Sequence, residues 1–240
     1  MRKAILVATL AGVLAVAPVP AKDKAEQGGD NSDVIATVNG EPVTKAEWAA
    51  IWKADQWNAP VLKAEPGFQE KMQGKPFEDY FFKEEVIKIR VMAQKYRDDL
   101  PQMKSAIDAI YQKAKGGEEF AELAKKYSQE QATAVSGGEL GGEKELKDMV
   151  FPFNRVALSL KQGEISEPVL TIFGYHIIKV DKVLPAAEGK GKRVVVRHIL
   201  LKFPSQNPRA EAETLASKAK VEVLDKGFCK KLVSYCPKEG

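Results

Sequence analysis

The stretch IFGYHIIKV, residues 172–180, follows a short apolar run at residues 168–171, and together they predict a β-hairpin. A second apolar stretch, VVVRHILLKF at residues 194–203, lies beyond a linker at residues 184–192. The chain contains two histidines, and each stretch holds one of them, His176 and His198. Any chemistry that needs imidazole therefore depends on where these two stretches lie in the fold.

The segments before the hairpin follow a specific order. FAELAKKYS at residues 120–128 has the pattern of a helix, and GGELG at residues 137–141 is glycine-rich. SLKQGEIS at residues 159–166 ends a further helix in a turn. From residue 105 to residue 180 this series resembles a parvulin-type peptidyl-prolyl isomerase. The resemblance implies an α+β fold in which helices wrap an antiparallel four-stranded sheet.

One strand of that family lies in an unexpected place. Parvulins begin with a strand reading Arg-His-Ile-Leu before their first helix, and here only residues 194–203 match it. A loop can join neighbouring antiparallel strands, so the geometry favours a circularly permuted domain at residues 102–203, with strand 194–203 supplied from the C-terminal side. The alternatives are a truncated second repeat and a homodimer in which His198 serves the other subunit.

The resemblance also implies a socket for the proline ring. Met149 and Phe153 are spaced i and i+4 and match two family socket residues, and Leu140 matches the third wall. Without the surrounding motifs, Met and Phe at helical spacing would be read as core residues. Phe173 is expected at the mouth of the site.

The polar residues of the site follow from the same resemblance. His176 and His198 would lie on adjacent strands beneath the socket and bond to each other, with Thr171 in a supporting role. Glu130 stands where the family carries Cys or Asp near the prolyl carbonyl. The alternative interpretation of Glu130 is a solvated loop carboxylate, since the family's Asp is one carbon shorter. None of these residues is expected to act as a nucleophile.

Residues 33–101 predict a mostly helical N-terminal module. Asn39-Gly40 is a strong hairpin signal, and residues 44–47 read as a capping box that opens a helix. An apolar stripe from residue 82 to residue 100 predicts a second helix, ended by Pro101, in preference to a strand at residues 86–91. The module resembles that of exported chaperone–isomerases of the SurA and PrsA type.

The two ends of the chain are expected to differ from these domains. Residues 1–21 have a basic start, a short apolar run and Ala21 at a cleavage position, which predicts a signal peptide. Residues 22–32 predict a flexible tether, and residues 204–240 a C-terminal tail of helix and strand. We expect an exported, periplasmic protein, without stable membrane insertion after cleavage.

Cys229 and Cys236, the chain's two cysteines, are expected to form a disulfide because an exported protein meets oxidising conditions. In one straight helix their Cα atoms would lie roughly 10 Å apart, beyond the reach of a bridge. Gly227 and Pro237 flank them and favour a short turn that bends back. The alternative is two unpaired, buried thiols.

Composition excludes several other classes of function. With 44% hydrophobic residues the chain is not a wholly disordered protein, and at a net charge of +4 it carries no basic block with interleaved aromatics for nucleic acid. The chain has only two histidines and two cysteines, and neither a metal site nor a cofactor is expected.

The function implied is peptidyl-prolyl cis–trans isomerisation, by a non-covalent mechanism, of exported polypeptides that are unfolded or folding. The expected partners are proline-containing polypeptide clients, with a homodimer as a further possibility. The alternative is a periplasmic peptide-binding chaperone whose parvulin domain is weak or inactive. The loop at residues 142–148 favours weak activity, because it is slightly longer than in the family and lacks its aromatic residue.

Overall fold

The computed structural model describes residues 33–55, 72, 74–185 and 192–236, so the predicted signal peptide and tether lie outside the described residues. Its helices and strands are, in chain order, β1 (Val34–Val38), β2 (Glu41–Thr44), α1 (Lys45–Asp55), α2 (Phe77–Phe81), a π-helical segment (Phe82–Ile87), α3 (Lys88–Lys95), α4 (Leu100–Lys115), α5 (Phe120–Tyr127), α6 (Gln131–Ala134), α7 (Phe153–Ser159), β3 (Val169–Thr171), β4 (Gly174–Leu184), β5 (Arg193–Lys202), α8 (Pro208–Lys218) and β6 (Val221–Val223). Short 3-10 turns lie at Leu146–Asp148 and Lys226–Phe228.

The predicted hairpin at the start of the N-terminal module is confirmed. Asn39 and Gly40 both have positive φ, 52° and 83°, as a two-residue turn between twisted antiparallel strands requires. Thr44 Oγ1 accepts the Glu47 N–H at 3.1 Å, which caps α1. In a capping box the Glu47 carboxylate would also accept a hydrogen bond from the Thr44 N–H. Here the Glu47 carboxylate instead accepts two hydrogen bonds from Arg90.

The helix predicted from the apolar stripe up to residue 100 is confirmed as far as Lys95, where it ends in a turn. Residues 77–95 are helical throughout, with a π-helical segment in the middle, and the stripe residues are buried. The role predicted for Pro101 is wrong. Pro101 lies in the first turn of α4 instead of ending a helix, because an N–H has no helical partner at that place and its loss costs nothing.

The segment expected to be a tail lies against the N-terminal module. The first sheet has the order β2-β1-β6, and β6 pairs antiparallel with β1. Helix α8 lies against α3, where Glu213 bonds Lys88 at 2.6 Å and Glu211 accepts the Tyr96 hydroxyl at 2.8 Å. Residues far apart in sequence therefore build this module together.

The last described residues are also held to that module. Cys229 and Cys236 form a disulfide with a Cα–Cα distance of 5.5 Å. Leu232 inside this loop is fully buried. The Asp79 carboxylate of α2 accepts bonds from the Ser234 N–H and hydroxyl at 2.8 and 2.6 Å. The loop is thus tied to α2 by apolar and charge-assisted contacts.

The second sheet has the order β3-β4-β5, with antiparallel pairing throughout. Both of its faces are covered. Ile178 and Val196 pack on one side in a core shared with the N-terminal module, and Ile177 and Ile199 pack on the other beneath α4 and α5. Two buried faces explain why these strands are nearly continuous in apolar residues.

The described residues form three strands here instead of the four expected. The place of a fourth is taken by residues 138–144, which run along β5 and bond to it through Gly138, Leu140 and Lys144 but make only isolated bridges. Gly141 and Gly142 have positive φ, and this bends the backbone away from a regular ladder.

Gly138 fits so closely against β5 that a side chain would collide with it. Its φ is +81°, and a Cβ would lie 2.3 Å from the His198 carbonyl oxygen. We expect Gly138→Ala to lower the free energy of unfolding by more than about 2 kcal/mol in urea titrations. Gly141→Ala is the control, because it has a similar φ of +73° with nothing within 4 Å, and should cost only about 1 kcal/mol. Equal costs would contradict the close packing at His198.

Candidate active site

The register of β4 and β5 brings the two histidines together. His198 pairs with Ile178, and His176 pairs with Leu200. Alternate residues of a strand point to the same face, so the imidazoles are diagonal neighbours on one face of the sheet. Their Nδ1 atoms lie 3.2 Å apart and their ring centroids 5.4 Å apart, within a single chain. We refer to His176 and His198 as the histidine pair.

The histidine pair is almost completely shielded from water, with each residue 3% exposed. Burial, together with the neighbouring His198, lowers the pKa of His176 well below its ordinary range. The neutral imidazole is therefore the form of His176 that the fold favours. A neutral ring has one N–H and one acceptor nitrogen, so the tautomers must be matched along the site.

Glu130 reaches the histidine pair from the loop before α6. Its Oε2 lies 2.7 Å from His198 Nε2, and its side chain is 31% exposed. The hydrogen bond from His198 lowers the pKa of this carboxyl group to about 2, with a smaller contribution from Thr133. The extra carbon of Glu relative to Asp therefore does not prevent contact, and Glu130 is ionised at neutral pH.

Thr171 completes a chain of hydrogen bonds through the site. Its Oγ1 accepts the Phe173 N–H at 3.0 Å and lies 2.9 Å from His176 Nε2. If Thr171 donates to His176, then His176 Nδ1–H donates to His198, and His198 Nε2–H donates to the Glu130 carboxylate. Every group in this order has both its proton and its acceptor.

The expected socket residues do not all contact the histidine pair. The ring of Phe153 stands edge-on to both imidazoles, at centroid distances of 5.2 and 5.8 Å. Met149 and Leu140 belong to the same apolar cluster as Phe153. Phe173 packs instead with the cluster on the opposite face of the sheet, and the Arg209 guanidinium lies 5.3 Å from its ring. Only its backbone N–H enters the hydrogen-bond chain.

Sequence reasoning missed Thr133. Its Oγ1 lies 2.9 Å from Glu130 Oε2 and 3.1 Å from His198 Nε2. The available signal was its spacing, because a residue three positions after Glu130 faces it across one helical turn. Among the described residues no cluster of His, Cys, Asp and Glu could hold a metal ion.

The pKa shifts predict that acid destabilises the fold. The unfolded chain protonates His176 near pH 6.5, whereas the native state resists this to much lower pH, so the native state binds fewer protons. Stability should therefore fall as pH drops below 6.5, by up to about 1.4 kcal/mol per pH unit. Glu130 acts in the same direction, but only between its ordinary 4.5 and about 2.

Urea titrations across this range measure the slope. The slope just below pH 6.5 should become smaller in His176→Gln, which removes the group that titrates. An unchanged slope in that variant would mean that another group carries the acid sensitivity.

Comparison with known proteins identifies the family of the chain. The family described as "Rotamase: PPIC-type PPIASE domain" matches residues 87–182. The foldase protein PrsA of Geobacillus sp. strain WCH70 is 33% identical over 204 residues, which cover 84% of this chain and 68% of that protein. The foldase protein PrsA of Bacillus subtilis strain 168 is 35% identical over 124 residues, 51% of this chain and 42% of that protein.

A further similar protein is the foldase protein PrsA of Caldanaerobacter subterraneus, 52% identical over 84 residues, 34% of this chain and 27% of that protein. The alignments thus span less than half of the Bacillus and Caldanaerobacter proteins. A crystal structure of the peptidylprolyl isomerase PrsA from Bacillus anthracis aligns over 78% of this chain and 91% of that chain, with 21% identity and a TM-score of 0.28. With a PPIC-type domain at residues 87–182 and the extended similarity to the Geobacillus protein, the chain belongs to the PrsA family of foldases and carries a peptidyl-prolyl isomerase domain.

Proposed function

We propose that this protein catalyses cis–trans isomerisation of peptidyl-proline bonds in unfolded or folding exported polypeptides, without a covalent intermediate. The observation that carries the proposal is the buried histidine pair, bonded to the Glu130 carboxylate and faced by Phe153. No residue of this set is arranged as a nucleophile with an adjacent base, and isomerisation requires none.

The arrangement suits the barrier of this reaction. Rotation about an amide costs about 18–20 kcal/mol because resonance is lost, and the twisted amide carries less negative charge on its carbonyl oxygen. In our proposal Phe153, with Met149 and Leu140, receives the apolar proline ring. A carboxylate at Glu130 repels the resonance-enriched carbonyl and so favours the twisted state. The histidine pair, joined by its hydrogen bond, provides a rigid polar floor.

We further propose that the isomerase domain is circularly permuted. The family match ends at residue 182, whereas β5, which carries His198, begins at Arg193. The pairing of β4 with β5 over most of their length supports the view that β5 completes this domain and is not a truncated second repeat.

Cleavage of the linker tests the permuted arrangement. A protease site placed within residues 186–191 should, when cut, leave two pieces that elute together and retain isomerase activity. A piece containing His198 that separates under native conditions, while activity stays with residues 1–185, would contradict the permuted domain. The uncut protein with the same insertion is the control.

We propose that the protein acts outside the cytoplasm, in the periplasm, and that its partners are proline-containing polypeptides. The predicted signal peptide and the Cys229–Cys236 disulfide support export, because disulfides persist in oxidising compartments. No helix within the described residues is both long and apolar enough to cross a membrane.

A second function is favoured by one observation. Met149 is 9% exposed and Phe153 3% exposed, so little of the socket faces solvent in this conformation. A chaperone that binds clients elsewhere and isomerises slowly would fit this burial. Suppression of aggregation by the wild-type protein, measured beside its isomerase rate on proline peptides, separates the two functions.

The socket itself is tested by a double substitution. Met149→Ala with Phe153→Ala should lower kcat/KM by about tenfold or more in a proline-peptide assay, because it removes the apolar wall at the histidine pair. Leu158→Ala is the control, since Leu158 is 2% exposed and lies on the same helix and in the same cluster as Phe153. An equal loss in the control, per folded molecule, would refute the socket.

A further inference from the structure

The hydroxyl of Thr133 stands at the outer end of the hydrogen-bond chain. It lies 2.9 Å from Glu130 Oε2, 3.1 Å from His198 Nε2 and 3.3 Å from the Glu130 carbonyl oxygen. Glu130 Oε2 in turn lies 2.7 Å from His198 Nε2, so three polar atoms form a closed triangle. Such a triangle restricts where each proton can be.

We propose that Thr133 is a positioning residue, which fixes the Glu130 carboxylate against His198 and thereby sets the order of protons across the histidine pair. The inference deepens the proposed isomerase function and rests on it for its effect on rate. Thr133 acts through Glu130 and His198 and needs no contact with the client.

The proton inventory favours this direction. A carboxylate only accepts, so His198 Nε2–H donates to Glu130 Oε2 at 2.7 Å, and the Thr133 hydroxyl donates to the same oxygen at 2.9 Å with a lone pair facing His198 Nε2. An unprotonated Nε2 would then face two acceptors, at 2.7 and 3.1 Å. A neutral His198 must therefore carry its proton on Nε2 and accept from His176 on Nδ1.

At Thr171, the inner end of the hydrogen-bond chain, the protons could also be donated in the opposite direction. Thr171 could turn its proton to the Gly174 carbonyl oxygen, 3.5 Å away, and accept from His176 Nε2–H at 2.9 Å. His176 Nδ1 would then need a proton from His198. The inner end thus permits both orders, and the triangle at Thr133 selects one of them for neutral imidazoles.

The Glu130 carboxylate needs the hydrogen bond from Thr133, because its side chain could otherwise rotate away from His198. It has three torsions and is 31% exposed, and the charge of Lys202 also attracts the carboxylate. Thr133 is joined to Glu130 through its hydroxyl, and its N–H bonds the Glu130 carbonyl oxygen at 3.2 Å. With the hydroxyl removed, the backbone would stay while the carboxylate could swing away.

The fold around Thr133 does not depend on its hydroxyl. The Thr133 carbonyl oxygen accepts from Gly138 N–H at 2.8 Å and from the Ser136 hydroxyl at 2.9 Å. Arg197 holds the same loop through the Ser136 carbonyl oxygen at 3.0 Å. Thr133→Val therefore removes one proton donor and keeps the shape, and Ser136→Ala is a matched control that removes an exposed hydroxyl from the same loop.

The direct test reads the tautomers of both histidines. The chain has only two histidines, so protein labelled with 15N-histidine gives two sets of ring signals at neutral pH. We expect Nε2–H for His198 and Nδ1–H for His176 in wild type, Thr133→Ser and Ser136→Ala. We expect mixed tautomers in Thr133→Val. Single tautomers in Thr133→Val, or no rescue by Ser, would overturn the inference.

Kinetics provide the second reading. Thr133→Val should lower kcat by about three- to tenfold with little change in KM, the effect of one hydrogen bond. In a Glu130→Gln background the same substitution should have no further effect, because the carboxylate it positions is absent. Additive losses would overturn the inference. Because tautomers are read without substrate, a wild-type protein with the expected tautomers but no isomerase activity would refute the proposed function and leave the positioning role supported.

Discussion

The antiparallel pairing of β4 with β5 is the constraint on which the rest of the site depends. Its register places His176 and His198 diagonally on one face, and a shift by one residue would turn one imidazole to the opposite face. The same pairing separates two apolar cores, one on each face of the sheet. The other edge of β5 is bonded by residues 128–144, which carry Glu130 and Thr133. The register of β4 with β5, and the segment bonded to the other edge of β5, thus decide the geometry of the site.

Electrostatics explain why the histidine pair is tolerated in the interior. Two imidazoles at 3% exposure would be costly if their nitrogens were unsatisfied, but each nitrogen has a hydrogen-bond partner. The Glu130 carboxylate lies at the partly exposed end of this hydrogen-bond chain, where water and Lys202 offset the cost of its charge. The site is therefore charged and partly exposed at Glu130 and almost fully buried at His176.

The N-terminal module packs against the isomerase domain. Phe151, between two socket residues, packs edge-on against Phe81 at 5.3 Å, and Arg155 of α7 bonds Glu85 at 2.8 Å in the interior. Helix α7 is thereby held from the π-helical segment of the N-terminal module. Chain after β5 then returns to that module through α8 and β6. The N-terminal module therefore contacts the helix that carries Phe153.

The sequence alone determined the features that depend on neighbours along the chain. The turn at Asn39-Gly40, the Thr44 cap and the helix over residues 77–95 follow from backbone freedom, a short side-chain hydrogen bond and apolar spacing, all local effects. Tertiary structure decided the rest. Pro101 starts a helix, residues 204–236 complete the N-terminal module, and Phe173 packs away from the histidine pair, because long-range pairing and burial outweigh local preference. Motif resemblance pointed to Glu130, but only the folded loop determines that its carboxylate reaches His198 and that Thr133 holds it there, since both depend on the approach of residues 65 to 68 positions apart.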